Sequence, residues 1–247
     1  MGGFDLWGEP TLRENTGMAR ANLDKDPEEV AAMFDGVAQR YDLINDLLSL
    51  GRTHAWRKST TALIAPRPGM KILDLAAGTG SSSAPLAAAG AQVIASDFSE
   101  GMLAAGRARH PDLSFVKADA LNLPFKPATF DVVTISFGLR NTSDMSQALA
   151  EALRVTKSGG KLVVAEFSHP TWRPFRTIYM KYLMNALPRI ARLSSSNPDA
   201  YVYLAQSIQN WPDQAELAKA ITHVGWSETS WKNLTGGVVA VHTAIKP

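Results

Sequence analysis

Lys71-Ile72-Leu73-Asp74-Leu75-Ala76-Ala77-Gly78-Thr79-Gly80 reads as an apolar strand running into a turn of small residues and then a helix. Small residues let a ligand approach the backbone, and N–H groups at a helix start stand ready for polar groups. A Gly-x-Gly is a weak signal by itself, since a plain strand and turn look the same. Two features narrow it. Gly78-Thr79-Gly80-Ser81-Ser82-Ser83 lacks the third glycine of the dinucleotide fingerprint. Asp74 stands at the strand end, where a carboxylate disfavours a pyrophosphate but suits an ammonium. The loop therefore argues for S-adenosylmethionine over NAD, with Asp74 and Gly78 in its site. No Gly-x-x-x-x-Gly-Lys-Ser/Thr loop occurs, which argues against a P-loop nucleotidase.

Asp97 ends the next apolar run, 19 residues beyond Gly78. That is the distance at which a carboxylate on the second strand reaches a ribose diol. The bland alternative is a helix cap, because Phe98-Ser99 starts a helical stretch. Met102 suits either the adenine or the core. Asp119 follows a third run and is placed to accept the adenine amino group, with the Ala120 N–H on the ring; otherwise it is a turn acid. Ser136 closes a fourth run, and ligands bind at the carboxyl ends of parallel strands.

Other chemistries lack their residues. The chain has no cysteine, which removes disulfides, thiolate zinc sites, iron–sulfur clusters and a cysteine nucleophile. His54, His169 and His242 are bases by chemistry, but a lone histidine is more often hydrogen-bonded structure, and none has metal-ligand spacing, so no metal is expected. Gly80-Ser81-Ser82 is not a nucleophile elbow. With 25 basic and 23 acidic residues, charge gives no reason to expect a nucleic-acid partner. No run approaches the roughly 18 apolar residues of a membrane span, and no basic-then-apolar leader opens the chain. A cytoplasmic protein is expected.

These residues need a scaffold. Met70–Leu75, Gln92–Ser96, Leu113–Val116, Phe130–Ser136 and Lys161–Phe167 are short apolar runs bounded by Gly, Pro or Asp. Helical stretches Ser81–Ala89, Ser99–Arg109 and Ser143–Thr156 fall between them. Alternation of this kind predicts an α/β fold, a parallel sheet with helices on both faces. Trp226–Leu234 and Val238–Ile245, joined through Thr235-Gly236-Gly237, read as an antiparallel hairpin at one edge. A mostly parallel sheet with an antiparallel C-terminal hairpin is the layout of the Class I S-adenosylmethionine-dependent methyltransferase (Rossmann-like) fold. Ahead of it, Val30, Met33, Phe34, Val37, Tyr41, Ile44 and Leu48 share one helical face, started by Asp26-Pro27 and stopped at Gly51. The expected organisation is a flexible segment 1–22 and one domain, 23–247. That domain carries a helical cover (26–66) and a substrate lid insertion (168–212).

Several blocks carry a resemblance. They are Phe34-Asp35-Gly36-Val37-Ala38-Gln39-Arg40-Tyr41-Asp42, Trp56-Arg57, Leu73–Gly80, Ser136-Phe137-Gly138-Leu139-Arg140-Asn141 and Glu166-Phe167-Ser168. Further on come Tyr203-Leu204-Ala205-Gln206-Ser207-Ile208, Trp211-Pro212-Asp213-Gln214 and Asn233-Leu234-Thr235-Gly236-Gly237. From about Ala21 to Pro247 the chain resembles the C-methyltransferases of ubiquinone and menaquinone biosynthesis, most closely the branch that methylates demethylmenaquinone. The resemblance implies that Thr79, Asp97, Asp119, Ala120 and Ser136 contact S-adenosylmethionine, with S-adenosylhomocysteine as product. The family's loop is often Ala-Gly-Gly-Thr-Gly-Asp; here it is Ala76-Ala77-Gly78-Thr79-Gly80-Ser81. Ala77 still permits close approach, and Ser81 removes one acid.

The implied reaction methylates a ring carbon of a prenylated quinol, demethylmenaquinol. Ring carbon is a poor nucleophile unless a nearby hydroxyl ionises. Arg140, Asn141 and Tyr41 are the catalytic candidates. Arg140 would stabilise a phenolate; its alternative is a salt bridge with an acid such as Asp144. Asn141 would donate to the quinol oxygen or else cap the helix near Ser143. Tyr41 would close the site from the N-terminal helix or else pack in the core. Another small-molecule methyltransferase, one of ubiquinone biosynthesis included, and a non-catalytic S-adenosylmethionine-binding module are the competing readings. Phe175, Ile178, Tyr179, Tyr182, Leu183 and Ala186 form an apolar stripe beside Arg173, Arg176, Lys181, Arg189 and Arg192. It reads as a prenyl channel with peripheral membrane contact through 172–192, or as a lid helix with a solvated face. A homo-oligomer is compatible with the sequence.

Overall fold

The computed structural model describes residues 28, 49, 51–186 and 198–247. The expected helix through Val30–Leu48, Tyr41, the segment 1–22, Arg189 and Arg192 lie outside the described residues.

Seven strands form one sheet in the order β3-β2-β1-β4-β5-β7-β6. They are β1 (Lys71–Leu75), β2 (Gln92–Asp97), β3 (Ser114–Lys117), β4 (Phe130–Ser136), β5 (Thr156–Phe167), β6 (Ser227–Leu234) and β7 (Val239–Ile245). β1 through β5 pair in parallel, and β7 runs antiparallel to both β5 and β6. The helices are α1 (Thr53–Ile64), α2 (Ser83–Ala88), α3 (Glu100–Arg109), α4 (Met145–Val155), α5 (Arg173–Lys181), α6 (Pro198–Gln209) and α7 (Gln214–His223). Strand order reverses at β1, which lies between β2 and β4. Crevices at such a switch, beyond the strands' carboxyl ends, are where open α/β sheets bind ligands.

The strands are apolar throughout because both faces are covered. Alternation sorts their side chains: Leu73, Leu75, Val133 and Ile135 join a core with Leu149 of α4 and Leu217 and Ile221 of α7. Ile72, Val132, Val163 and Val241 join Ile64 of α1 and Leu86 of α2 on the other face. Each such side chain contributes roughly 1.5–3 kcal/mol when fully buried.

The expected hairpin forms, with β7 inserted between β5 and β6. Three local expectations change. α1 is a separate helix beginning two residues past Gly51; its inward face is Thr53, Trp56, Thr60 and Ile64, too polar to stand out as an apolar stripe. β5 begins at Thr156 rather than Lys161 and passes through Gly159 (φ +72°) and Gly160. A Cβ at Gly160 would sit 2.6 Å from Thr156 Cγ2, so a Gly-Gly pair that looks like a turn is a tight stretch of strand. In the insertion, Phe175, Tyr179, Tyr182 and Leu183 pack inward. Ile178 does not: it is 66% exposed, about 100° round the helix from Tyr179. The turns after Lys181 are a π-helix, Tyr182–Ala186.

Candidate active site

Two clefts open at the carboxyl ends of β1, β2 and β4. The first, about 830 Å³, is lined by Gly78, Asp97, Met102, Asp119, Ala120 and Asn141 among others. The second, about 700 Å³, is lined by Trp56, Asp74, Thr79, Ser136, Phe137 and Phe167 among others. Ala76, Gly78 and Phe137 border both, so the clefts meet there.

The meeting point is built from unusual backbone. Ala76 (φ +51°) and Phe137 (φ +59°) follow adjacent strands in the left-handed region, which non-glycine residues seldom occupy. Strain of this kind gathers at functional sites. A Cβ on Gly138 would overlap the Ala76 methyl, so these two turns nest against each other. Gly78 is left-handed (φ +55°), and a Cβ there would lie 3.0 Å from Met102 Cε and reach into the space at the cleft floor.

Asp97 accepts the Gly78 N–H through Oδ2 at 2.8 Å and the Ser99 N–H through Oδ1 at 2.9 Å. It therefore ties the glycine loop to β2. It is not the helix cap: Ser99 fills that role, its Oγ accepting from the Met102 N–H at 3.0 Å. Asp119 Oδ1 accepts the Leu121 N–H at 2.9 Å, a local turn at the rim of the first cleft. Met102 is buried and also lines that cleft.

Asp74 is fully buried. Its Oδ2 accepts the Ser83 hydroxyl at 2.6 Å, while Oδ1 has no hydrogen-bond partner. Burial pushes its carboxyl up to about 7, and the charge of Asp97 adds to this; the Ser83 bond and the Arg57 charge oppose it. A buried carboxyl with one orphaned oxygen beside a cleft is poised to receive a cationic donor.

Arg140 and Asn141 lie on a 3-10 turn, Leu139–Asn141, just past β4. Arg140 pairs with Glu166 on β5, not with Asp144. Its Nη1 donates to Glu166 Oε1 at 2.8 Å, and its backbone N–H donates to Oε2 at 3.3 Å. The two side chains are 5% and 1% exposed, so the pair is shielded from water. The Arg140 Nε has no hydrogen-bond partner, and Cζ stands 5.2 Å from the Phe167 ring centre. Arg140 borders neither cleft; its neighbours Asn141, Phe137 and Phe167 do. Asp144 instead caps α4, accepting the Gln147 N–H at 2.9 Å, so Asn141 is no cap either. Asn141 Oδ1 accepts the Tyr203 hydroxyl of α6 at 3.3 Å. Burial raises the Tyr203 and Tyr179 phenols, while the Arg140 charge pulls both down.

Sequence reasoning missed Glu166, Tyr203 and the Trp56–Phe137–Phe167 aromatic group as parts of this site. All stand in the quoted blocks, but their partners lie on other elements. Of the histidines, His169 Nε2 bonds Trp211 O at 2.9 Å and His242 Nε2 bonds Gln214 O at 2.8 Å, both structural; His54 is exposed.

A model of the ubiE/COQ5 methyltransferase family matches residues 22–246. A demethylmenaquinone methyltransferase of Streptomyces avermitilis is 61% identical over 229 residues, covering 93% of this chain and 99% of that one. One from Renibacterium salmoninarum is also 61% identical, covering 93% of this chain and 97% of the other. Among solved structures, a SAM-dependent methyltransferase from Thermotoga maritima aligns with TM-score 0.63 at 20% identity, over 87% of this chain and 98% of its own. Phosphoethanolamine N-methyltransferase 2 of Haemonchus contortus, solved with S-adenosyl-L-methionine, aligns with TM-score 0.63 at 17% identity, over 86% and 57%. These two show the shared fold.

Proposed function

Because the chain belongs to the ubiE/COQ5 methyltransferase family, we propose that it moves a methyl group from S-adenosylmethionine to a ring carbon of demethylmenaquinol, giving menaquinol. The observation that carries this is 61% identity over almost the full length to relatives bearing that activity's name.

The residues present fit the cofactor. Asp74 offers an orphaned buried carboxyl oxygen to the ammonium. Gly78 leaves the space a side chain would fill. Asp97 would hold the ribose hydroxyls, Asp119 and the Ala120 N–H the adenine, and Thr79 and Ser136 the side nearest the second cleft. When bound, S-adenosylmethionine supplies the electrophilic methyl group. The protein must then position the ring carbon and favour the phenolate. Alignment alone is worth several kcal/mol, up to about 7–11 in well-oriented cases. Arg140, paired with Glu166 and bordering neither cleft, would act by holding the turn that carries Asn141, and Asn141, with its oxygen engaged by Tyr203, has its amide N–H₂ to donate to the quinol oxygen. Tyr41, which lies outside the described residues, is the third residue proposed to act on the acceptor.

The prenyl tail of such a substrate lives in a membrane. Trp172 (68% exposed) and Ile178 (66% exposed) flank Arg173, Arg176 and Lys181, a surface suited to peripheral contact with anionic lipid. Among the described residues no helix is long and apolar enough to cross a membrane.

The test is incubation with methyl-labelled S-adenosylmethionine and demethylmenaquinol. Label on the quinol ring is the expected result. Label only on another acceptor, or binding without transfer, overturns the proposal.

A further inference from the structure

Thr235-Gly236-Gly237 plays no part in the chemistry above, yet it reaches the second cleft through one hydrogen bond. Thr235 adopts φ +49°, a conformation a β-branched residue rarely takes. The turn around it is clamped. Thr171 N–H donates to Gly236 O at 3.1 Å, and Gln214 Nε2 donates to His169 O at 2.9 Å and to Gly237 O at 3.4 Å. A Cβ on Gly236 would press on the Phe175 ring at 3.2 Å, and one on Gly237 would sit 3.1 Å from His169 O. So held, Thr235 Oγ1 accepts the indole N–H of Trp56 at 2.8 Å.

Trp56 is 5% exposed, and what remains of its surface borders the second cleft. Its ring lies 6.1 Å from Phe137 and 6.1 Å from Phe167, and those two are 5.1 Å apart. The rings come from three separate elements: α1, the turn after β4 and the end of β5. Tilted 40°, 54° and 86° to one another, they make an aromatic wall of faces and edges in the cleft that Asp74 and Ser136 also line. The single polar atom of the indole is consumed by the Thr235 bond, so the wall offers only π faces and edges to a ligand.

We propose that Trp56, Phe137 and Phe167 form the surface against which the planar ring of the methyl acceptor packs, and that Thr235 is the positioning residue that sets the indole plane. The identity of the acceptor rests on the function proposed above.

The test compares wild type with Thr235→Val, Thr235→Ser, Trp56→Phe and the Trp56→Phe/Thr235→Val pair, using demethylmenaquinol as acceptor. Thr235→Val keeps the shape and loses the acceptor oxygen. It is expected to raise KM for the quinol about tenfold, with the Kd of S-adenosylmethionine unchanged by calorimetry. Thr235→Ser should recover to within about twofold, since its hydroxyl remains. In the Trp56→Phe background, which has no N–H to hold, Thr235→Val should add nothing. An unchanged KM in Thr235→Val, a parallel shift in cofactor Kd, or a further KM rise in the paired variant would each overturn the assignment. A wild type that methylates no quinol sinks the function instead. The wall is then judged by binding of 1,4-naphthoquinone with S-adenosylhomocysteine present: about tenfold weaker binding to Trp56→Leu supports it, and equal binding overturns it.

Discussion

At the scale of single residues, the site depends on charges taken out of water. Asp74 has an ordinary value of 3.8 and a folded value of about 7. Between these, the folded protein holds a proton that the unfolded chain has lost. Its stabilising contribution is complete below the unfolded value and disappears as pH rises through about 7. We expect the melting temperature of the cofactor-free protein, measured against Asp74→Asn, to fall as pH is raised across that window. The cofactor ammonium needs the ionised form, so affinity for S-adenosylmethionine should strengthen from about pH 5.5 to about pH 7 in calorimetry and lose that dependence in Asp74→Asn. Arg140 and Glu166 hold each other. Glu166→Ala leaves a guanidinium buried and unpaired and should cost about 3–5 kcal/mol in urea unfolding. Arg140→Lys keeps the charge but loses the planar fork, and should lower kcat with cofactor Kd unchanged. At this scale the sequence revealed residues whose positions follow from strand ends: Asp74, Gly78, Asp97, Asp119 and Ser136 all border the clefts. The alternative reading of Arg140, a salt bridge with an acid such as Asp144, is met in kind but not in partner. The actual partner, Glu166, is brought there by the β4–β5 register, in which Ser136 faces Ala165.

Among elements, those with a clean pattern were legible and those with a polar inner face were not. The parallel strands show as apolar runs because both faces are buried, and the Ser99 and Asp144 caps mark where α3 and α4 begin. α1 falls within the expected helical cover (26–66), but its own bounds and inner face were not legible because threonines occupy that face. α4 carries a clear stripe: Ala148, Leu149, Ala152 and Val155 are all fully buried. Leu149→Ala should cost about 2–5 kcal/mol in urea unfolding, because it opens a cavity in the core that Leu149 shares with Leu73, Val133 and Ile221. His242 joins β7 to α7 through Gln214 O, and burial pushes its imidazole below the usual value of 6.5. Protonation therefore favours the unfolded chain. This contribution is complete above the unfolded value and is lost as pH falls below about 6.5, so His242→Gln should show a shallower loss of stability between about pH 7 and pH 5.

For the whole molecule, alternation of strand and helix was enough to anticipate the sheet, and the hairpin at the end was enough to anticipate its antiparallel edge. What alternation cannot supply is which distant turn touches which helix. Thr235 and Trp56 stand 179 positions apart and meet only because β7 is inserted next to β5. Lipid contact also belongs to this scale, since it depends on how α5 is presented. A Trp172→Ser/Ile178→Ser variant should float less with anionic vesicles than wild type while keeping its cofactor affinity; equal flotation would remove α5 from membrane contact. The nesting of Gly138 on Ala76 has a practical meaning for redesign. Ala76 borders both clefts and Gly138 the first, so enlarging either residue reshapes the boundary between the two clefts. Trp56 and Phe167 border only the second cleft. An engineer seeking a new acceptor range should vary those two rings and leave the seam as it is.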